Sequence, residues 1–175
     1  MFPMFAPLRR LHNGFPFGTY GQREGANISP KSLRSLEKAA GACSLGAGAL
    51  HAIVAPAHLD EWWGYGLFFL GAAAAQILFG LALLTDAINT KDFGVGAALA
   101  RRWLLVGGIL GNVAILVLYI VTRTVGIPWF GPEAGEVESV GIIDVLAGIL
   151  EIAVVALVVL VLWRGRKEPI PTPVS

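Results

Sequence analysis

Four long apolar runs, separated by short polar stretches, organise the chain. They cover residues 36–55, 62–84, 102–122 and 140–163. At about 1.5 Å of rise per residue, each is long enough as a helix to cross a hydrocarbon layer of about 30 Å. Open strands would leave backbone groups unsatisfied in lipid, so the pattern predicts helices. The expected fold is all-α: a four-helix transmembrane bundle filling 36–163. Trp62, Trp63 and Tyr65 sit at one apolar–polar border, and Trp103, Trp129 and Trp163 at others, as interfacial aromatics do.

The flanks have no such periodicity. Residues 1–35 place Phe2, Phe5, Phe15, Phe17 and Tyr20 among Pro3, Pro7, Gly14, Pro16 and Gly18. Such a segment cannot build a core of its own. It reads either as a loose tail whose aromatics touch lipid headgroups or as an extended arm anchored on a partner subunit by those five rings. Ser29 followed by Pro30 offers a helix start, proline being tolerated at the first helical position. Residues 164–175 form a short basic tail.

Charge sets the expected orientation. Twelve of the 13 Lys and Arg residues fall in the two tails and the 85–102 region; Arg123 alone lies on the other side. The positive-inside rule then puts both termini in the cytoplasm, in the cell's inner membrane. The connections near His58 and Pro132 face outward and are acidic: Asp60, Glu61, Glu133, Glu136 and Glu138. Only 14% of residues are charged and 55% are hydrophobic, which argues against a soluble domain of this size and gives no nucleic-acid signal. The lone cysteine, Cys43, can form no internal disulfide.

Small residues recur at four-residue spacing: Ala42/Gly46, Ser44/Gly48, Gly71/Ala75 and Gly107/Gly111. Small-xxx-small faces let helices approach closely in lipid. Packing within the bundle is the default reading, with docking to another chain as the alternative.

Polar groups inside the runs carry the candidate chemistry, because each is costly at depth. His51 falls about 7 Å below the outer surface, Asp144 about 6 Å and Glu151 about 16 Å, from the helical rise. Asp144, Gly148 and Glu151 share one helix face. Gln76 and Asn112 lie deeper on the second and third runs, while His58, Glu61 and Arg123 border the outer end. Three readings stay open. In the first, Arg123 pairs with Asp144, and His51 or Asn112 hydrogen-bonds Glu151. In the second, His51, His58, Glu61, Asp144 and Glu151 supply ligands to a metal such as zinc, copper or iron; Pro56 argues against His51 and His58 sharing a helix face. In the third, the same groups relay protons or cations.

Two histidines at mid-membrane depth on separate helices, as a haem would need, are missing, and no cofactor is indicated. Phosphate-loop, nucleophile-elbow and CxxC signatures are also missing, so no enzyme is expected. The run His58-Leu-Asp-Glu61-Trp62-Trp63-Gly-Tyr65, with Gln76, Arg123, Gly126-Ile-Pro128, Asp144 and Glu151, resembles small four-span bacterial membrane proteins of unassigned function over about residues 45–155. That resemblance implies only that the outer-side residues act as one unit. The expected role is a non-enzymatic accessory subunit of a larger membrane complex, docked through its arm and small-residue faces. The alternative is a metal-binding or proton- or cation-handling protein using the outer pocket.

Overall fold

The computed structural model describes residues 30–85, 87 and 90–166. Four helices account for nearly all of them: α1 (Pro30–Glu61), α2 (Trp63–Leu84), α3 (Thr90–Thr124) and α4 (Ile142–Gly165). Strands do not occur among the described residues. All four helices are long and apolar enough to cross a membrane. The aromatic residues of the arm, Phe2, Phe5, Phe15, Phe17 and Tyr20, lie outside the described residues, as does Ser29.

Two boundaries differ from the sequence expectation. The first helix does not stop at Pro56 but runs through it to Glu61. Proline removes one helical hydrogen bond. Here the loss falls near the end of a 32-residue helix whose last turns are held by packing against α2. His58 and Glu61 therefore stand on the last turns of α1 rather than in a loop. At the other end of the molecule, α3 begins at Thr90, a full 12 residues before the apolar run at 102, so Arg101 is helical.

A single non-helical residue, Trp62, joins α1 to α2 in an extended conformation. The corner is tight enough that a Cβ on Gly64 would lie 2.1 Å from the Trp62 ring, and one on Gly66 2.1 Å from Leu59. The two helices then pack along their length through small residues. A Cβ on Gly80 would sit 2.7 Å from the Gly41 carbonyl, and one on Gly48 would sit 3.0 Å from that of Ala73. Between these contacts the Ser44 hydroxyl donates to the Gln76 carbonyl at 2.8 Å. This is close helix approach of the kind glycine permits in lipid.

Helix α4 packs on α1 and on α3, whereas α2 and α3 meet at few positions. The half of the bundle nearest Leu84 is filled by a dry core of Ala40, Phe79, Leu83, Leu105, Val154, Val158 and Val161. That half ends in an ion pair between Arg101 and the buried Glu37. The small-residue expectation separates into two outcomes. Ser44 and Gly48 pack within the chain, and Gly46 meets Leu150 of α4. Gly71, Gly107 and Gly111 instead face open space, with no atom within 4 Å of a built Cβ.

Candidate functional site

The other half of the bundle is polar inside. Its centre is the carboxylate of Glu151, only 1% exposed. Glu151 Oε1 lies 2.9 Å from His51 Nε2 and accepts a second hydrogen bond from Gln76 Nε2, also at 2.9 Å. Gln76 Nε2 further approaches Asn112 Oδ1 at 3.2 Å, and Asn112 Nδ2 donates to the Gly108 carbonyl at 2.8 Å. One side chain from each helix thus meets at a single point. Buried polar groups in an apolar setting need partners; these four find one another, and Gln76 Oε1 alone among their side-chain atoms is buried without a partner.

Nearer the α3–α4 loop, a second group gathers around Arg123, whose side chain is 12% exposed. Its Nη2 donates to Asp144 Oδ2 at 2.8 Å, and its Nη1 pairs with Glu138 and reaches the Thr122 hydroxyl. Asp144 Oδ2 also accepts the Gly141 N–H at 3.1 Å, which caps the start of α4. The guanidinium lies 5.1 Å from the centre of the Tyr119 ring. Glu138 is placed by the loop itself: its N–H bonds to the Thr122 carbonyl, and Gly126 turns the chain at a φ of 68°. The loop is fastened to the α1–α2 corner by the Tyr65 hydroxyl, which donates to the Phe130 carbonyl at 3.0 Å, and by edge-on packing of Trp62 on Phe130.

Between the two groups runs a cleft. Its floor is His51 and Glu151, its mouth Arg123, Glu138 and Asp144, and its walls include Phe68, Phe69 and Tyr119. Beyond the mouth, a shallower polar basin is bordered by His58, Glu61, Glu133 and Glu138. Cleft and basin share Arg123, Glu138 and Asp144, so the guanidinium stands at the passage between them.

The five proposed metal ligands are not one set. His51 and Glu151 are together on the floor, and Asp144 lines the same cleft but is engaged with Arg123. His58 stacks flat on Phe69 at 4.1 Å and pairs with Glu61 at 2.9 Å, outside the cleft. Among the described residues, no three His, Cys, Asp or Glu side chains are arranged to hold a metal ion. Sequence reasoning missed Glu37, Glu138's place on Arg123, and the aromatic walls. Glu37 carried a signal, being an acid at the second position of the first apolar run.

No family model, curated protein or solved structure matches the chain. The site therefore has to be read from its own chemistry.

Proposed function

We propose that this chain is a multi-pass membrane protein that binds a small amphipathic molecule in the cleft between α2, α3 and α4. The distribution of basic residues supports placing the cleft mouth on the outer side and both termini in the cytoplasm. The observation that carries the reading is that the cleft is polar at both ends, aromatic along its sides and closed below. Beneath the Glu151 network lie Leu105, Val154 and Val158, each at most 1% exposed. A conducting path needs polar groups or water through the whole span. The polar lining of this one stops half-way, and a cleft with convergent polar groups is the form of a binding site.

Gly148 provides the test. It lines the cleft, and a Cβ there would meet nothing closer than Leu116 at 3.8 Å. The Cβ of Gly148→Leu therefore forces nothing apart, and the rest of its side chain takes up space at the cleft. Full-length protein in lipid nanodiscs, titrated calorimetrically with alkylated probes, should bind at least one probe, and Gly148→Leu should abolish that binding. Equal binding by the wild type and the filled variant would overturn the reading.

A second reading is favoured by the uncovered glycine face. Gly107 and Gly111 are open, and α3 is the least covered of the four helices. These support an accessory subunit docked against other membrane subunits, with the aromatic arm as a further anchor. Deleting residues 1–28 should then release the bundle from its complex. Undiminished co-purification after the deletion would exclude that role for the arm.

A further inference from the structure

We infer that the cleft takes a quinol-class ligand: a neutral ring bearing two opposed hydroxyl groups, with an apolar tail lying in the seam between α2 and α3. The inference rests on the binding role proposed above, and goes further by naming the chemistry that would be recognised.

The polar ends of the cleft are acceptors waiting for donors. Both hydrogen bonds to Glu151 among the described residues fall on Oε1, and both to Asp144 fall on Oδ2. Each carboxylate keeps a second oxygen that neither pair of bonds uses, and both residues line the cleft. Asp144 and Glu151 are seven residues apart on α4, an axial separation of about 10.5 Å. A six-membered ring with hydroxyls at opposite positions spans about 5 Å between oxygens, and two O–H···O bonds add about 2.7 Å each. That length is comparable with the two-turn step along α4 that separates the two residues. A ligand with one polar end reaches only one carboxylate.

Charge selects against an anionic headgroup. Arg123 is already answered by two carboxylates, Glu138 and Asp144, and only its Nε lacks a partner among the described residues, so a phosphate or carboxylate at the mouth would meet more acid than base. Neutral hydroxyl donors suit the two acceptors without adding charge, and the aromatic walls suit a ring.

The tail has a place to go. A largely apolar groove runs between α2 and α3 past Gly107, Gly111 and Leu78. Ile115 borders both the groove and the cleft, so the two adjoin at that residue. Because α2 and α3 meet at few positions, this seam is also the side from which a lipid-soluble molecule can enter. The open space at Gly107 and Gly111 is then the track of a hydrocarbon chain.

The test uses full-length protein in nanodiscs under anaerobic conditions, with decyl-hydroquinone, 4-decylphenol and the dimethyl ether of the hydroquinone as probes. The hydroquinone should bind about tenfold or more tightly than the phenol, as expected for one added hydrogen bond to a charged acceptor, and the ether weakest. Asp144→Asn and Glu151→Gln should each bring the hydroquinone toward the affinity of the phenol. Gly111→Leu, in open space, should weaken decyl-hydroquinone severalfold and leave methylhydroquinone unchanged. Equal affinity for all three decyl probes, with Gly148→Leu still blocking them, would overturn the quinol assignment and leave the cleft as a binding site. Failure of every probe to bind the folded wild type would overturn both.

Discussion

Replacing Glu151 by leucine tests whether the four-helix junction holds the bundle together. The substitution deletes one acceptor that serves two donors, His51 Nε2 and Gln76 Nε2. In a soluble protein each donor stranded in the interior would cost about 1–3 kcal/mol. Between membrane helices a hydrogen bond averages about 0.6 kcal/mol and reaches about 1.7. Gln76 retains Asn112 at 3.2 Å, so most of the loss falls on His51, 7% exposed. Removing a carboxylate from an apolar interior offsets part of this. The expected net destabilisation is about 1–2 kcal/mol on these figures. Glu151→Gln, which keeps an oxygen for Gln76, should stay within about 0.5 kcal/mol of wild type by the same reasoning. Reversible unfolding in mixed micelles, followed by far-ultraviolet circular dichroism, measures both. The decisive arm is the double variant His51→Leu/Glu151→Leu, which removes donor and acceptor together and should cost less than the two singles added. Strict additivity, with Glu151→Leu as stable as wild type, would show that the junction does not hold the helices.

Further outcomes follow from packing, charge and orientation. Gly80→Ala should lower stability by about 1–3 kcal/mol, since its Cβ would press on the Gly41 carbonyl; Gly107→Ala, in open space, should be neutral in the same unfolding assay. Asp144→Ala should destabilise the bundle less than loss of a sole partner would, because Arg123 keeps Glu138. Asp144→Ala/Glu138→Ala should lose more than the sum, as the guanidinium is then left without an acid. In a Cys43→Ala background, single cysteines at positions 58 and 136 should react with an impermeant thiol reagent from outside; protection of both, with labelling at position 91, would invert the topology.

The number of helices was readable because each buries or exposes an almost unbroken apolar run. Their ends were less so. Pro56 looked like a terminus, yet the cost of one missing hydrogen bond near a helix end is small beside the packing of α1 on α2. Residues 90–101 hold an apolar stretch at 93–100, but Lys91 and Asp92 before it and Arg101 and Arg102 after it made that stretch read as part of the middle loop. Among the site residues, His51, Gln76, Asn112, Asp144 and Glu151 stood out because polar groups in apolar runs are expensive. Which of them meet depends on helix neighbours, and a sequence alone does not supply those. Glu138 could be placed on Arg123 only after the loop had folded back to the Thr122 carbonyl. Gly41 and Gly80 escaped notice because each matters through the helix opposite, not through a repeat within its own.

The meeting of His51 with Glu151 across 100 residues of chain has a consequence for how the protein is made. At about 5–20 residues per second of synthesis, Glu151 is translated about 3–13 s after Leu84 completes the α1–α2 pair. During that interval the nascent hairpin holds an imidazole and a carboxamide in lipid with their acceptor not yet translated. Assembly is therefore sealed by the last helix, and a chain interrupted before residue 151 carries its own mark of incompleteness for membrane quality control to read.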